Sequence, residues 1–149
     1  MKKSMIMLIF LLLCISAGCQ STNALKTGPE SKHTFSELVE LNLIEDSVTR
    51  YGATFMVYNP TDTVYSYDYQ YELECCKDGT WFQVIGGPKD SPAGIINIQP
   101  GESKEQTYYG YGKLPRGTYR VVLKVVESGD SPAAAKAKPF YICGEFSVK

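Results

Sequence analysis

Residues 65–76 read Tyr-Ser-Tyr-Asp-Tyr-Gln-Tyr-Glu-Leu-Glu-Cys-Cys, the stretch on which the fold class turns. Side chains along a strand point alternately to two faces. Tyr65, Tyr67, Tyr69, Tyr71, Leu73 and Cys75 therefore share one face, and Ser66, Asp68, Gln70, Glu72, Glu74 and Cys76 share the other. One apolar face and one polar face belong to a sheet with a core on one side and water on the other, which means an antiparallel sheet. Lys77-Asp78-Gly79-Thr80 follows directly, and its Asp-Gly pair predicts a tight hairpin that returns through Trp81–Ile85.

The same period of two recurs outward from this hairpin. Tyr119, Val121, Leu123 and Val125 alternate with Arg120 and Lys124, and Phe140, Ile142, Phe146 and Val148 form an apolar set at the carboxyl end. Further strands are predicted near 36–45, 51–59, 94–98 and 103–109. Turn signals separate them: Asn59-Pro60-Thr61-Asp62, Gly86-Gly87-Pro88, Pro100-Gly101, Pro115-Arg116-Gly117 and Ser128–Pro132. Ala133–Ala137 is the one helix-like run and is too short to stand alone. Short strands at this spacing predict an all-β, immunoglobulin-like antiparallel β-sandwich of about 7–8 strands.

The amino terminus has a different character. Lys2 and Lys3 precede eleven unbroken apolar residues, Met5–Ile15, and the small residues Ser16, Ala17 and Gly18 lead to Cys19. A charged start, a short apolar stretch and a small-residue exit make a secretory signal peptide. A membrane span needs about 20 apolar residues, and Gln20-Ser21-Thr22-Asn23 ends the run early. Ser16-Ala17-Gly18-Cys19 resembles the lipobox of bacterial lipoproteins. That resemblance implies a thioether-linked diacylglycerol on Cys19, usually with an amide-linked acyl chain as well. Two or three acyl chains, at about 0.8 kcal/mol per buried methylene, give stable anchoring where one chain is marginal. Three segments follow: a lipoprotein signal peptide over 1–18, a flexible tether over 19–34 headed by a lipidated Cys19, and a domain over 35–149. His33, at the end of the tether, reads as a solvated linker residue.

Composition fits this division. The full chain has 149 residues with 15 basic and 16 acidic side chains. Without residues 1–18 it keeps 13 basic and 16 acidic side chains, net −3, and its apolar share falls to about 40%, ordinary for a soluble domain. The basic footprint of a nucleic-acid binder is missing.

Leu114-Pro115-Arg116-Gly117-Thr118-Tyr119 resembles the tyrosine corner of immunoglobulin-like sandwiches, in which the Tyr hydroxyl bonds back to upstream backbone. The wider order of motifs is similar to a bacterial immunoglobulin-like family common in Gram-positive surface lipoproteins. The matching pieces are Tyr58-Asn59-Pro60-Thr61, Tyr67-Asp68 with Tyr71–Glu74, Asp78–Phe82, Ile98–Ser103, Tyr111–Val121 and Glu145–Val148. Asp68 departs from a common Gly of that pattern, and Cys75-Cys76 from polar or charged residues. The resemblance implies a sandwich over roughly 36–149 and brings no catalytic residues with it.

Nothing in the chain assembles an enzyme. A Cys–His pair would need His33, outside the expected fold, and no GxSxG, P-loop or HExxH occurs. Cys75, Cys76 and Cys143 provide three thiols without a CxxC, so no metal site and no cofactor is expected. Alternation puts Cys75 inside and Cys76 and Cys143 outside. With a strand between the last two, no disulfide is expected. Asp68, Glu72 and Glu74 make an acidic stripe that reads as a solvated sheet face. Tyr108, Tyr109 and Tyr111, beside Gly112, are the candidate ligand-contacting aromatics, able to stack on a cell-wall glycan or a protein. The expected role is a membrane-anchored, non-enzymatic module for binding or assembly. The alternatives are an accessory or sensory subunit of a membrane system, or a lipid-anchored hydrolase inhibitor.

Overall fold

The computed structural model describes residues 25–88, 94–129 and 134–149. The signal peptide and Cys19 lie outside these residues. Ten strands are described: β1 (Thr27–Glu30), β2 (Glu40–Leu43), β3 (Gly52–Tyr58), β4 (Tyr65–Asp68), β5 (Glu72–Lys77), β6 (Thr80–Val84), β7 (Ile95–Ile98), β8 (Ser103–Tyr109), β9 (Gly117–Glu127) and β10 (Phe140–Val148). They form two antiparallel sheets, the sandwich that the alternation predicts. The larger sheet runs β1-β6-β5-β9-β4-β7 with β10 on the other side of β9, and the smaller runs β2-β3-β8. Ala134–Lys136, within the predicted helix-like run, is a single 3-10 turn.

The stretch 65–76 is divided in two. Tyr67 pairs with Val125 and Glu72 with Val122, so five residues on this side match three on β9. Two residues are extra, and because two is the strand period, the register shift leaves the side chains on either side of the break on their expected faces. Tyr65, Tyr67, Leu73 and Cys75 are all buried in the core. Tyr69 and Tyr71 fall at the irregularity and leave that row: Tyr69 is exposed, and Tyr71 turns against the rings of Tyr108 and Tyr111. The break also changes neighbours, since β5 pairs with β6 whereas β4 pairs with β7.

Turn chemistry holds the strand ends. Asp78 (φ 50) and Gly79 (φ 79) both take the left-handed backbone that a two-residue hairpin requires. Asn59 is fully buried, and its amide donates to the carbonyls of Thr63 (2.8 Å) and Ile98 (3.2 Å). Its Oδ1 accepts from the Thr61 backbone N–H and hydroxyl. In the Gln99–Glu102 turn, the Gln99 N–H donates to Glu102 (2.7 Å) and holds that carboxyl below the usual range.

The amino-terminal segment corrects the sequence reading. Residues 27–30, expected in the flexible tether, form β1 and pair with β6. The chain then crosses the outer face of the larger sheet. The Ser31 N–H donates to the Trp81 carbonyl on β6, and the Ser36 N–H donates to the Tyr141 carbonyl on β10. Residues 31–36 are thus a strap from one side of the sheet to the other, after which β2 enters the smaller sheet. β9 lies under this strap, and Tyr119–Leu123 are buried on both faces.

The Tyr119 hydroxyl donates to the Pro115 carbonyl at 2.8 Å, tying the start of β9 to the turn before it. Tyr119→Phe removes that bond and leaves the carbonyl to find water. Equilibrium urea unfolding should show a loss of about 1 kcal/mol with an unchanged denaturant slope.

Candidate functional site

Two groups of side chains stand out, one polar and one aromatic. The polar group lies under the strap. Glu74 is 1% exposed, and its Oε2 accepts from Arg120 Nε at 2.5 Å. The Arg120 guanidinium carbon sits 4.6 Å from the Phe35 ring centroid and 4.2 Å from the Trp81 ring, between a strap residue and a β6 residue. Its NH2 group also donates to the Ser31 hydroxyl at 3.3 Å. His33 Nε2 lies 3.1 Å from Glu72 and 3.8 Å from Glu74, and its ring rests 4.2 Å from that of Tyr141.

This arrangement overturns two expectations. His33 is not a solvated linker residue; it is part of the strap, held on the sheet by two glutamates and an aromatic ring. Glu74 and Arg120, expected on a wet face, are dry because the strap covers them. Sequence alternation assigns faces correctly here, but it cannot tell that a face is covered by another segment. The one signal available was the apolar Phe35 beside His33 in otherwise polar surroundings.

His33, Glu72 and Glu74 bring three donor atoms within 4.8 Å of one another, a spacing that suits a cation. Arg120 already holds one oxygen of Glu74, however, and supplies positive charge at this point. The cluster is a closed polar network between strap and sheet, with the chemistry of an ion-pair lock.

The aromatic group contains the tyrosines singled out from sequence, which take three different places. Tyr108 is buried, its ring 4.9 Å from Tyr71 and 6.0 Å from Phe55. Tyr111 is half-buried against Tyr71 at 5.7 Å, with its ring close to Gly87. Tyr109 alone is open, at 65% exposure, while its carbonyl accepts from the Tyr71 hydroxyl at 2.6 Å. The hydroxyls of Tyr67 and Tyr108 have no hydrogen-bond partner among the described residues. Burial pushes Tyr67 up to about 12 and raises Tyr108 and Tyr71 further, so all three remain neutral phenols.

The three fold cysteines are free. β9 separates β5 from β10, and burial raises the thiols of Cys75 and Cys143 above their usual range, Cys143 being half-buried rather than open. At the far edge, an open cleft of about 510 Å³ lies between the sheets, with Leu43, Val48, Phe146 and Val148 as its apolar wall and Glu45, Arg50, Glu145 and Lys149 around it. Among the described residues no helix is long and apolar enough to cross a membrane.

Two sheets joined through a tyrosine corner, with β9 between β5 and β10, define an immunoglobulin-like module. The sequence matches the bacterial Ig-like domain family over residues 36–138, and the chain belongs to that family. Domains of this kind are generally non-catalytic and typically extracellular or surface-exposed. No curated protein matches the chain.

Glu74→Gln keeps the shape of the pair but leaves the Arg120 charge uncompensated in a dry site. It should cost about 3–5 kcal/mol in urea unfolding. The double variant Glu74→Leu/Arg120→Met removes both charges and should recover most of that loss. A double variant no more stable than Glu74→Gln would contradict the lock.

Proposed function

We propose that this chain is a lipid-anchored surface protein that presents one non-enzymatic immunoglobulin-like domain for binding or assembly. The observation that carries the reading is the order of segments. A charged start, an eleven-residue apolar stretch and Ser16-Ala17-Gly18-Cys19 are followed within a few residues by Leu25, which already packs against the sandwich. The acyl chains on Cys19 hold the module at the membrane, and the family supplies a scaffold without catalytic machinery. Partners are proteins or cell-wall glycans reached from the membrane surface. The buried pair of Glu74 and Arg120 and the ring packing around Tyr71 tie the connecting segments to the sheets, which suits recognition by a fixed surface.

The anchor is tested by expressing wild type and Cys19→Ala in a bacterium that processes lipoproteins. Wild type should enter the detergent phase on Triton X-114 separation, and its amino-terminal peptide should carry the mass of a diacylglyceryl cysteine. Cys19→Ala should move to the aqueous phase. Equal partition of the two proteins would contradict the reading, and cross-linking in intact cells then identifies the partner.

A further inference from the structure

Six large apolar side chains are exposed among the described residues, and four of them flank one edge of the sandwich. Ile85 (53% exposed) follows β6, Tyr109 (65%) ends β8, and Tyr69 (38%) and Ile95 (75%) lie where β4 pairs with β7. The segments that carry them pack against one another. Pro88 touches Gly110, the Tyr111 ring covers Gly87, and the Tyr69 ring covers Gly94. The Tyr71 hydroxyl joins the β4–β5 irregularity to Tyr109.

The chain enters the fold at this same edge. The Ile85 N–H donates to the Lys26 carbonyl at 2.8 Å, and Thr27 pairs with Val84. Leu25 is partly buried against the core. Cys19 lies six residues before Leu25, a reach of at most about 20 Å at roughly 3.3–3.6 Å per residue.

We propose that the edge carrying Ile85, Tyr109, Tyr69 and Ile95 rests on the lipid surface that receives the acyl chains of Cys19, so that the membrane itself is the partner of this patch. The proposal rests on the anchor reading above. A tether this short keeps Ile85 near the headgroups at all times, and a surface held so close meets the bilayer at high effective concentration. The side chains suit that place: Tyr is enriched at membrane–water interfaces, where its ring lies among apolar groups and its hydroxyl stays wet. Lys26, exposed at the entry point, adds positive charge towards anionic headgroups. β10 then lies on the opposite side of the larger sheet from β1, with the cleft beside Phe146 turned away from the membrane.

The test uses the lipidated full chain in vesicles of phosphatidylglycerol and phosphatidylcholine, with and without bromine on the acyl chains. Single tryptophans are added by Ile85→Trp, Tyr109→Trp and, on the exposed far strand, Ser147→Trp, each read as the difference from wild type with its native Trp81. Bromolipid should quench the added tryptophan at 85 and at 109 at least threefold more than the one at 147. Lipidated wild type without an added tryptophan should show slower amide exchange at 85–87 and 109–111 in vesicles than in detergent. Vesicles that float with the protein while all three positions are quenched alike would overturn the docking and leave the anchor standing. Wild type that fails to float with vesicles would overturn the anchor and the docking with it. A blue-shifted but unquenched tryptophan at 109 would place a protein on this edge and also overturn the proposal.

Discussion

Arg120 and Glu74 form a charged pair on the outer face of the larger sheet, and the protein keeps that pair out of water. Removing a carboxylate from solvent costs several kcal/mol unless a partner and hydrogen bonds replace the lost hydration. Arg120 is the partner, Ser31 accepts another of its donors, and the rings of Phe35 and Trp81 both lie against the guanidinium. Half of that enclosure comes from residues that precede the first strand of the smaller sheet. The pair therefore depends on the strap, which the backbone bonds of Ser31 and Ser36 and the contacts of His33 also hold down; without the strap the pair is wet.

That dependence organises the amino-terminal part of the chain. β1 adds to β6 at one side of the larger sheet, the strap crosses to β10, and β2 completes the smaller sheet. The chain thus wraps the sandwich before its central strands begin. β9 gains cover on both faces, which explains how Val122 and Arg120 are buried on the side that alternation assigns to water. The wrap also fixes where the chain enters the fold, beside Ile85.

Much of the fold follows from period two and turn chemistry alone. Tyr65, Tyr67, Leu73 and Cys75 are core residues as their alternation requires, and Asp78-Gly79 makes its hairpin. The break within 65–76 could not be read from the sequence, because an insertion of two residues leaves the pattern of faces intact. The polar cluster was hidden for a different reason. Its members are spread over positions 31, 33, 35, 72, 74, 81 and 120, and only the diagonal crossing of the strap brings them together. Polar residues around His33 looked like a linker because strap and linker share a composition; what distinguishes them is a long-range contact. Tyr108, Tyr109 and Tyr111 show the reverse difficulty, since the sequence groups three tyrosines that the structure assigns to core, surface and packing against Tyr71.

The buried network makes the amino-terminal segment a layer of the fold. Native-state hydrogen exchange tests this most directly, by comparing the amides of Ser31 and Ser36, which fasten the two ends of the strap, with those of Val121 and Leu123 in β9. If the strap is a layer of the fold, Ser31 and Ser36 exchange only through openings close in free energy to those that release β9. If both exchange like open loop amides while β9 stays protected, the strap is not an integral part of the structure.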